Sequence, residues 1–192
     1  MPILAAEPDR YPAGLFDDPA DPAADRAWYV LHVRPRQEKS LARHLHAAGV
    51  SYYLPAVARR CTVRNRVLTA HVPLFPGYLF LYADRDERIT ALASNRVVQT
   101  LDVHDQPRLW DDLRQVHRLL GTGVPVATES RLAPGTPVEI TIGPLAGLHG
   151  TVVRTASGRR FVVRVDFIHQ GASVLLEDCA LLPLRRADGV TA

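Results

Sequence analysis

Nearly unbroken apolar runs at Trp28–Val33 and Tyr78–Tyr82 stand out from the mixed sequence around them. Side chains on a strand point to opposite faces in turn. In the second run Tyr78, Phe80 and Tyr82 share one face, and Leu79 and Leu81 the other. A strand apolar on both faces needs cover on both. Pro73, Pro76 and Gly77 precede it, so the chain turns before it extends. Between the two runs, Leu41, Leu45 and Ala48 recur at helical spacing, predicting a helix over Arg36–Ala48 that ends at Gly49. Val50–Leu54 reads as a strand and Arg59–Val72 as a basic hairpin turning near Arg64-Asn65-Arg66. A helix over Asp86–Ser94 should turn Ile89, Leu92 and Ala93 inward. A strand over Val97–Leu101 follows, then a helix over Asp111–Leu120 with Leu113, Val116 and Leu120 on one stripe.

The pattern then changes to short strands alone, at Val138–Ile142, Gly150–Arg154, Phe161–Phe167, Ala172–Leu176 and Leu181–Leu184. Five such strands with glycine-rich turns predict a small barrel. The expected organisation is a flexible acidic tail over 1–26, an α+β domain over 27–121, a linker over 122–131, a β-barrel domain over 132–186 and a short tail over 187–192. The fold class is therefore α+β: an antiparallel sheet with flanking helices, joined by a linker to a small barrel.

Charge divides along the same lines. Residues 1–27 hold six carboxylates against two arginines, a net −4, so the net +3 of the whole leaves +7 on the remainder. A basic folded body suits contact with a polyanion. No apolar run approaches the length of a membrane span, and residues 1–26 lack the pattern of a secretion signal. Cys61 and Cys179 are the only cysteines, which suits a reducing cytoplasm. A cytoplasmic location with no membrane contact is expected.

Catalytic chemistry is not evident. Gly143, Gly147 and Gly150 are followed by the strand-like Thr151-Val152-Val153, whereas phosphate loops need a helix there. His44 and His46 are two apart on a helix and diverge. Neither cysteine has a partner at zinc-ligand spacing, and Glu177-Asp178 reads as a solvated pair. We expect no enzyme activity, no metal and no cofactor.

Three segments in order carry a resemblance. Trp28-Tyr29-Val30-Leu31-His32 opens a strand that leads into a basic helix. Pro73–Phe80 follows. Gly143-Pro144-Leu145-Ala146-Gly147-Leu148-His149-Gly150-Thr151-Val152 comes after a Val-x-Ile strand. Together, over roughly residues 27–185, they resemble NusG-family transcription elongation factors. The first two segments look like the family's NGN domain and the third like its KOW motif, an SH3-like barrel.

The resemblance implies a monomer that binds the clamp helices of the largest RNA polymerase subunits, suppresses pausing or termination, and recruits a ribosomal small-subunit protein or Rho through the KOW domain. On this chain it implies a polymerase-facing patch of His32, Phe75, Tyr78 and Phe80. Phe80 reads equally well as plain core. It implies contact with the non-template DNA strand through Arg34, Gln37, Arg43 and His44, for which a solvated helix face is the alternative at Arg43. It implies KOW partner contacts at Leu148, Phe167 and Ile168, with Leu148 alternatively plugging the barrel. The wording of Pro73–Phe80 resembles specialised antiterminators of the RfaH and LoaP type more than the housekeeping NusG, which stays the alternative. The Val-, Thr- and Phe-rich segments 150–154 and 160–167 favour strands over the helical hairpin some paralogues form there. From another class, a ribosome-associated, RNA-binding KOW protein is the competing reading.

Overall fold

The computed structural model describes residues 7–17, 25–63, 66–129, 135–155, 158–176 and 181–183. The chain divides into two compact units, Met1–Trp110 and Asp111–Ala192.

The first unit is built on a five-stranded antiparallel sheet in the order β1-β3-β6-β2-β7. Its strands are β1 (Arg10–Tyr11), β2 (Ala27–Val33), β3 (Ser51–Tyr53), β6 (Tyr78–Ala83) and β7 (Val97–Asp102), with β4 (Ala56–Val63) and β5 (Arg66–Pro73) forming a separate two-stranded hairpin. Helices α1 (Glu38–Ala47) and α2 (Arg85–Ala93) interleave with them. Alternation on β2 and β6 divides the sheet as the sequence predicts. Leu31, Val33, Leu79 and Leu81 join Leu41 and Leu45 of α1 and Ala91 of α2 in one cluster. Trp28, Val30 and Phe80 point the other way and are equally buried. Strand pairing fixes this register, with Val30 opposite Phe80 and His32 opposite Tyr78.

Four expectations need correction between the N-terminus and the end of the third helix. Order does not begin at Trp28. Within the expected acidic tail, β1 adds to the edge of β3, Arg10 opposite Tyr53 and Tyr11 opposite Tyr52. Phe16 then inserts against Tyr53, centroids 4.9 Å apart and edge-on, and lies parallel to Trp28 at 6.1 Å. The Leu54 N–H also donates to the Asp9 carbonyl at 2.6 Å and the Tyr52 hydroxyl to the Pro8 carbonyl at 3.1 Å, and none of these contacts leaves a periodic signal.

The first helix begins at Glu38 and not Arg36, because Arg36 has a left-handed backbone (φ 63°). On α2 the buried residue is Ala91, whereas Ile89, Leu92 and Ala93 are exposed. The small side chain lets α2 lie close, and an Asp84/Glu87 capping box fixes its start. Helix α3 (Gln106–Gly121) begins five residues before the expected Asp111, and Leu119 is buried beside Leu113 and Val116 where Leu120 was expected. Its first turn is anchored by Gln106, whose Oε1 accepts from the Trp28 N–H at 2.6 Å and whose Nε2 donates to the Trp28 carbonyl at 3.0 Å.

The second unit holds β8 (Ala127–Glu129), β9 (Thr136–Ile140), β10 (His149–Thr155), β11 (Gly158–Val165), β12 (Gln170–Leu175) and β13 (Leu181–Pro183). They form one antiparallel sheet in the order β13-β9-β10-β11-β12-β8. This strand-rich unit is consistent with a KOW-type, SH3-like domain, and residues 149–155 and 158–165 are stranded throughout. Strand β8 lies in the segment expected as linker and pairs through its backbone with β12. Its sequence, Ala-Thr-Glu, carries no apolar alternation. The expected Val138–Ile142 strand ends at Ile140, leaving Ile142 65% exposed. Gly150 is needed where it stands: a Cβ there would lie 2.6 Å from the Val162 carbonyl oxygen and 2.7 Å from the Phe161 ring. The expected turn at 64–65, the Glu177-Asp178 pair and Cys179 lie outside the described residues.

Candidate functional site

The turn before β6 is held at several points. The Leu74 N–H donates to the Pro55 carbonyl at 2.7 Å, the Val33 N–H to the Gly77 carbonyl at 2.8 Å, and the Gly77 N–H to Glu38 Oε1 at 2.9 Å. Glu38 is buried, and a buried carboxylate that accepts a backbone N–H ties the turn to the first turn of α1. Gly77 has φ +84°, a region open to glycine and strained for other residues. The turn therefore delivers Tyr78 in a fixed position opposite His32.

His32 and Tyr78 lie side by side at the end of the β2/β6 ladder, ring centroids 5.7 Å apart and inclined by 33°. His32 is exposed and Tyr78 half-buried. The other two residues of the expected patch are not at the surface. Phe75 is 1% and Phe80 0% exposed. They meet edge to face at 6.2 Å, and Phe80 also packs on Tyr53 at 6.5 Å. Alternation puts Phe80 on the face of Tyr78, but its neighbours cover it. Phe80 is the plain core residue of the alternative reading, and Phe75 joins it in the core.

The four expected nucleic-acid contacts fall into two places. Arg34 and Gln37 are both exposed where β2 passes into α1, the Gln37 N–H donating to the Arg34 carbonyl at 3.0 Å. Arg43 and His44 lie further along the helix and are engaged. Arg43 pairs with Glu7 of the N-terminal strap at 2.8 Å, and His44 Nε2 is 3.3 Å from the Thr90 carbonyl of α2. The structure adds Arg96, which sequence reasoning missed. Its carbonyl accepts from the Arg34 N–H at 2.9 Å and its Nε donates to Ser40 at 2.8 Å. Only the pairing of β7 with β2 brings Arg96 to this corner.

Two tyrosines of β3 feel the strap. Burial, then the Asp9 and Glu7 carboxylates, push the Tyr52 hydroxyl up to about 12. Burial above all, with Asp9 adding to it and Arg10 opposing, holds Tyr53 well above the usual tyrosine range.

In the second unit Leu148 is 1% exposed and fills the interior, and Ile168 is 8% exposed. Of the three expected partner contacts only Phe167 is half-exposed. Side chains of α3 fix both loops: Arg118 Nη1 donates to the Gly147 carbonyl at 3.1 Å, the His149 N–H donates to Gln115 at 3.1 Å, and the Asp166 N–H donates to Asp112 at 3.0 Å. Among the described residues, no cluster of histidine, cysteine and carboxylate side chains could hold a metal ion, and no helix is long and apolar enough to cross a membrane.

The family model described as transcription termination factor NusG matches residues 26–130, more than half of the chain. Among solved structures, one concerned with domain interaction in NusG of Thermotoga maritima is 18% identical, with a TM-score of 0.41, covering 78% of this chain and 93% of that one. The MjSpt4:Spt5 complex is 13% identical, with a TM-score of 0.28, covering 82% of this chain and 99% of that one. No curated protein sequence matches the chain.

Proposed function

The chain belongs to the NusG family, a family of transcription elongation factors, and from that premise we propose that it docks on the clamp helices of RNA polymerase through His32 and Tyr78. The observation that carries this reading is the pairing of exposed His32 with half-buried Tyr78 at the end of the β2/β6 ladder, ring centroids 5.7 Å apart. The Tyr78 N–H donates to the Phe75 carbonyl at 3.2 Å and the Gly77 N–H to Glu38, so the backbone that carries Tyr78 is ordered before a partner covers it. Docking there keeps the polymerase from pausing or terminating. Arg34 and Gln37, with Arg96 beside them, face the non-template strand, where arginine contacts to phosphate add affinity without reading sequence. The strand-rich unit recruits a second factor, a ribosomal small-subunit protein or Rho, through the loop that carries Phe167.

The wording of Pro73–Phe80 supports a specialised antiterminator of the RfaH or LoaP type. A gene standing at the head of a long biosynthetic operon is the expected setting, and one beside translocation and ribosomal genes would favour the housekeeping role. The test of function is single-round transcription through a pause site. Added protein should shorten the dwell, and Tyr78→Ala should lose that effect while melting like the wild type. A dwell time that the wild-type protein leaves unchanged would rule the proposal out.

A further inference from the structure

The N-terminal strap wraps around the β3 edge of the first sheet. Glu7 pairs with Arg43 of α1 on the helix side. Arg10 and Tyr11 extend β3. Phe16 then lands on the opposite face, against Trp28 and Tyr53. That is also the face of His32 and Tyr78. Trp28, Val30 and His32 stand on β2 opposite Tyr82, Phe80 and Tyr78 of β6, and alternate residues of a strand share a face. One face therefore runs from beneath Phe16 to the exposed pair, about 14 Å from Trp28 to His32 along the strand. Its covered end holds an unmet hydrogen bond. Trp28 is 1% exposed, and its indole Nε1 finds no acceptor among the described residues. A buried donor without an acceptor destabilises the closed arrangement. The open end is small. A specific interface takes about 800 Å² from each partner, and one aromatic side chain supplies at most about 150–250 Å². Exposed His32 and half-buried Tyr78 supply only a fraction of that area.

We propose, on the reading that the chain docks through His32 and Tyr78, that the strap is an autoinhibitory lid on the docking face. Phe16 lifts off Trp28 and Tyr53 as the chain docks, and a helix of the polymerase takes its place along the sheet. A helix rises 1.5 Å per residue, so about nine residues span the distance from His32 to Trp28. A side-chain acceptor on that helix meets the Trp28 indole N–H. The strap can open without the sheet. It lies at the sheet edge, where only β3 pairs with it, and edge segments open locally at a fraction of the cost of global unfolding. While Phe16 is down, only the minor open fraction is competent, and the apparent affinity falls by that fraction. The charged end of the strap sits on α1, away from the docking face, so it tethers the lid without competing for the partner.

The test is amide exchange of the wild-type full chain, free and bound to a reconstituted elongation complex, read by mass spectrometry. Peptides covering residues 7–17 should exchange faster in the complex than in the free chain, while those covering 28–32 and 78–82 slow down. The affinity of Phe16→Ala for the same complex is measured alongside. Removing the anchor raises the open fraction, so this variant should bind about tenfold tighter than the wild type although it melts at a lower temperature. A strap that only braces the fold gives the reverse, weaker binding with lower stability. The exchange measurement uses the unaltered protein and decides alone if Phe16→Ala does not fold. Strap peptides that stay as protected in the complex as in the free chain would overturn the proposal, and so would a folded Phe16→Ala that binds no tighter than the wild type. In either case, a loss of binding by Tyr78→Ala leaves docking through His32 and Tyr78 standing without a lid. A wild-type chain that does not bind the complex removes both.

Discussion

Phe16→Ala tests whether the N-terminal strap is part of the fold. Phe16 is 6% exposed and packs on Trp28 and Tyr53. Removing a buried Phe side chain costs about 3–5 kcal/mol, the transfer of its atoms plus the cavity left behind. The strap is tied at few points besides this ring, chiefly the pairing of Arg10 and Tyr11, the Asp9 carbonyl on the Leu54 N–H and the Pro8 carbonyl on the Tyr52 hydroxyl, so it can relax around the lost side chain. The lower end, about 3 kcal/mol, is therefore expected, a large share of the roughly 5–15 kcal/mol that stabilises a typical domain. Urea unfolding followed by tryptophan emission measures it. Trp28 and Trp110 are the only tryptophans, so a Trp110→Phe background leaves Trp28 as the reporter. Its 1% exposure should rise and its emission shift to the red even before unfolding. A loss below about 0.5 kcal/mol, the range of neutral surface substitutions, with unchanged Trp28 emission would refute the reasoning.

Three other outcomes follow from the same structure. Tyr52 ionises near 10.0 when unfolded but only at about 12 when folded. The unfolded chain thus releases its proton first, and stability should be intact below pH 10 and fall between pH 10 and about 12; thermal melts across that range check it, and Tyr52→Phe should reduce the fall. Asp84→Ala removes the cap of α2 and should cost about 1 kcal/mol in denaturant unfolding. Glu38→Ala leaves the Gly77 N–H without its carboxylate acceptor and should cost about 2 kcal/mol; amide exchange at Gly77 and Tyr78 should quicken, because the turn that positions Tyr78 loses its tie to α1.

Much of this fold was legible where one period dominates. The apolar runs Trp28–Val33 and Tyr78–Tyr82 identified both strands and set Leu79 and Leu81 on the face opposite Tyr78 and Phe80, and Leu41 and Leu45 marked the buried stripe of α1. Legibility failed where contact depends on size or on pairing between distant segments. Ala91 is buried because it is small, so counting large apolar residues pointed to Ile89 and Leu92. The strap and β8 are held by backbone pairing, which three-residue Ala-Thr-Glu or the acidic Glu7–Asp17 stretch cannot announce. For the site, the pairing of His32 with Tyr78 followed from register, but the burial of Phe75 and Phe80 comes from neighbours such as Tyr53 that share no motif with them. Arg96 reaches Arg34 only through the β2/β7 pairing, across sixty residues of chain.

The central claim is that the exposed His32–Tyr78 pair docks on RNA polymerase. Its most direct test is the equilibrium affinity of the full chain for a reconstituted elongation complex, wild type against Tyr78→Ala, with thermal melting run in parallel. Truncating an aromatic anchor at the centre of an interface costs about 2 kcal/mol or more, so the account predicts binding by the wild type and a loss of about thirtyfold or more in the variant at unchanged melting temperature. Equal affinity of the two proteins, or no binding by the wild type, would contradict it.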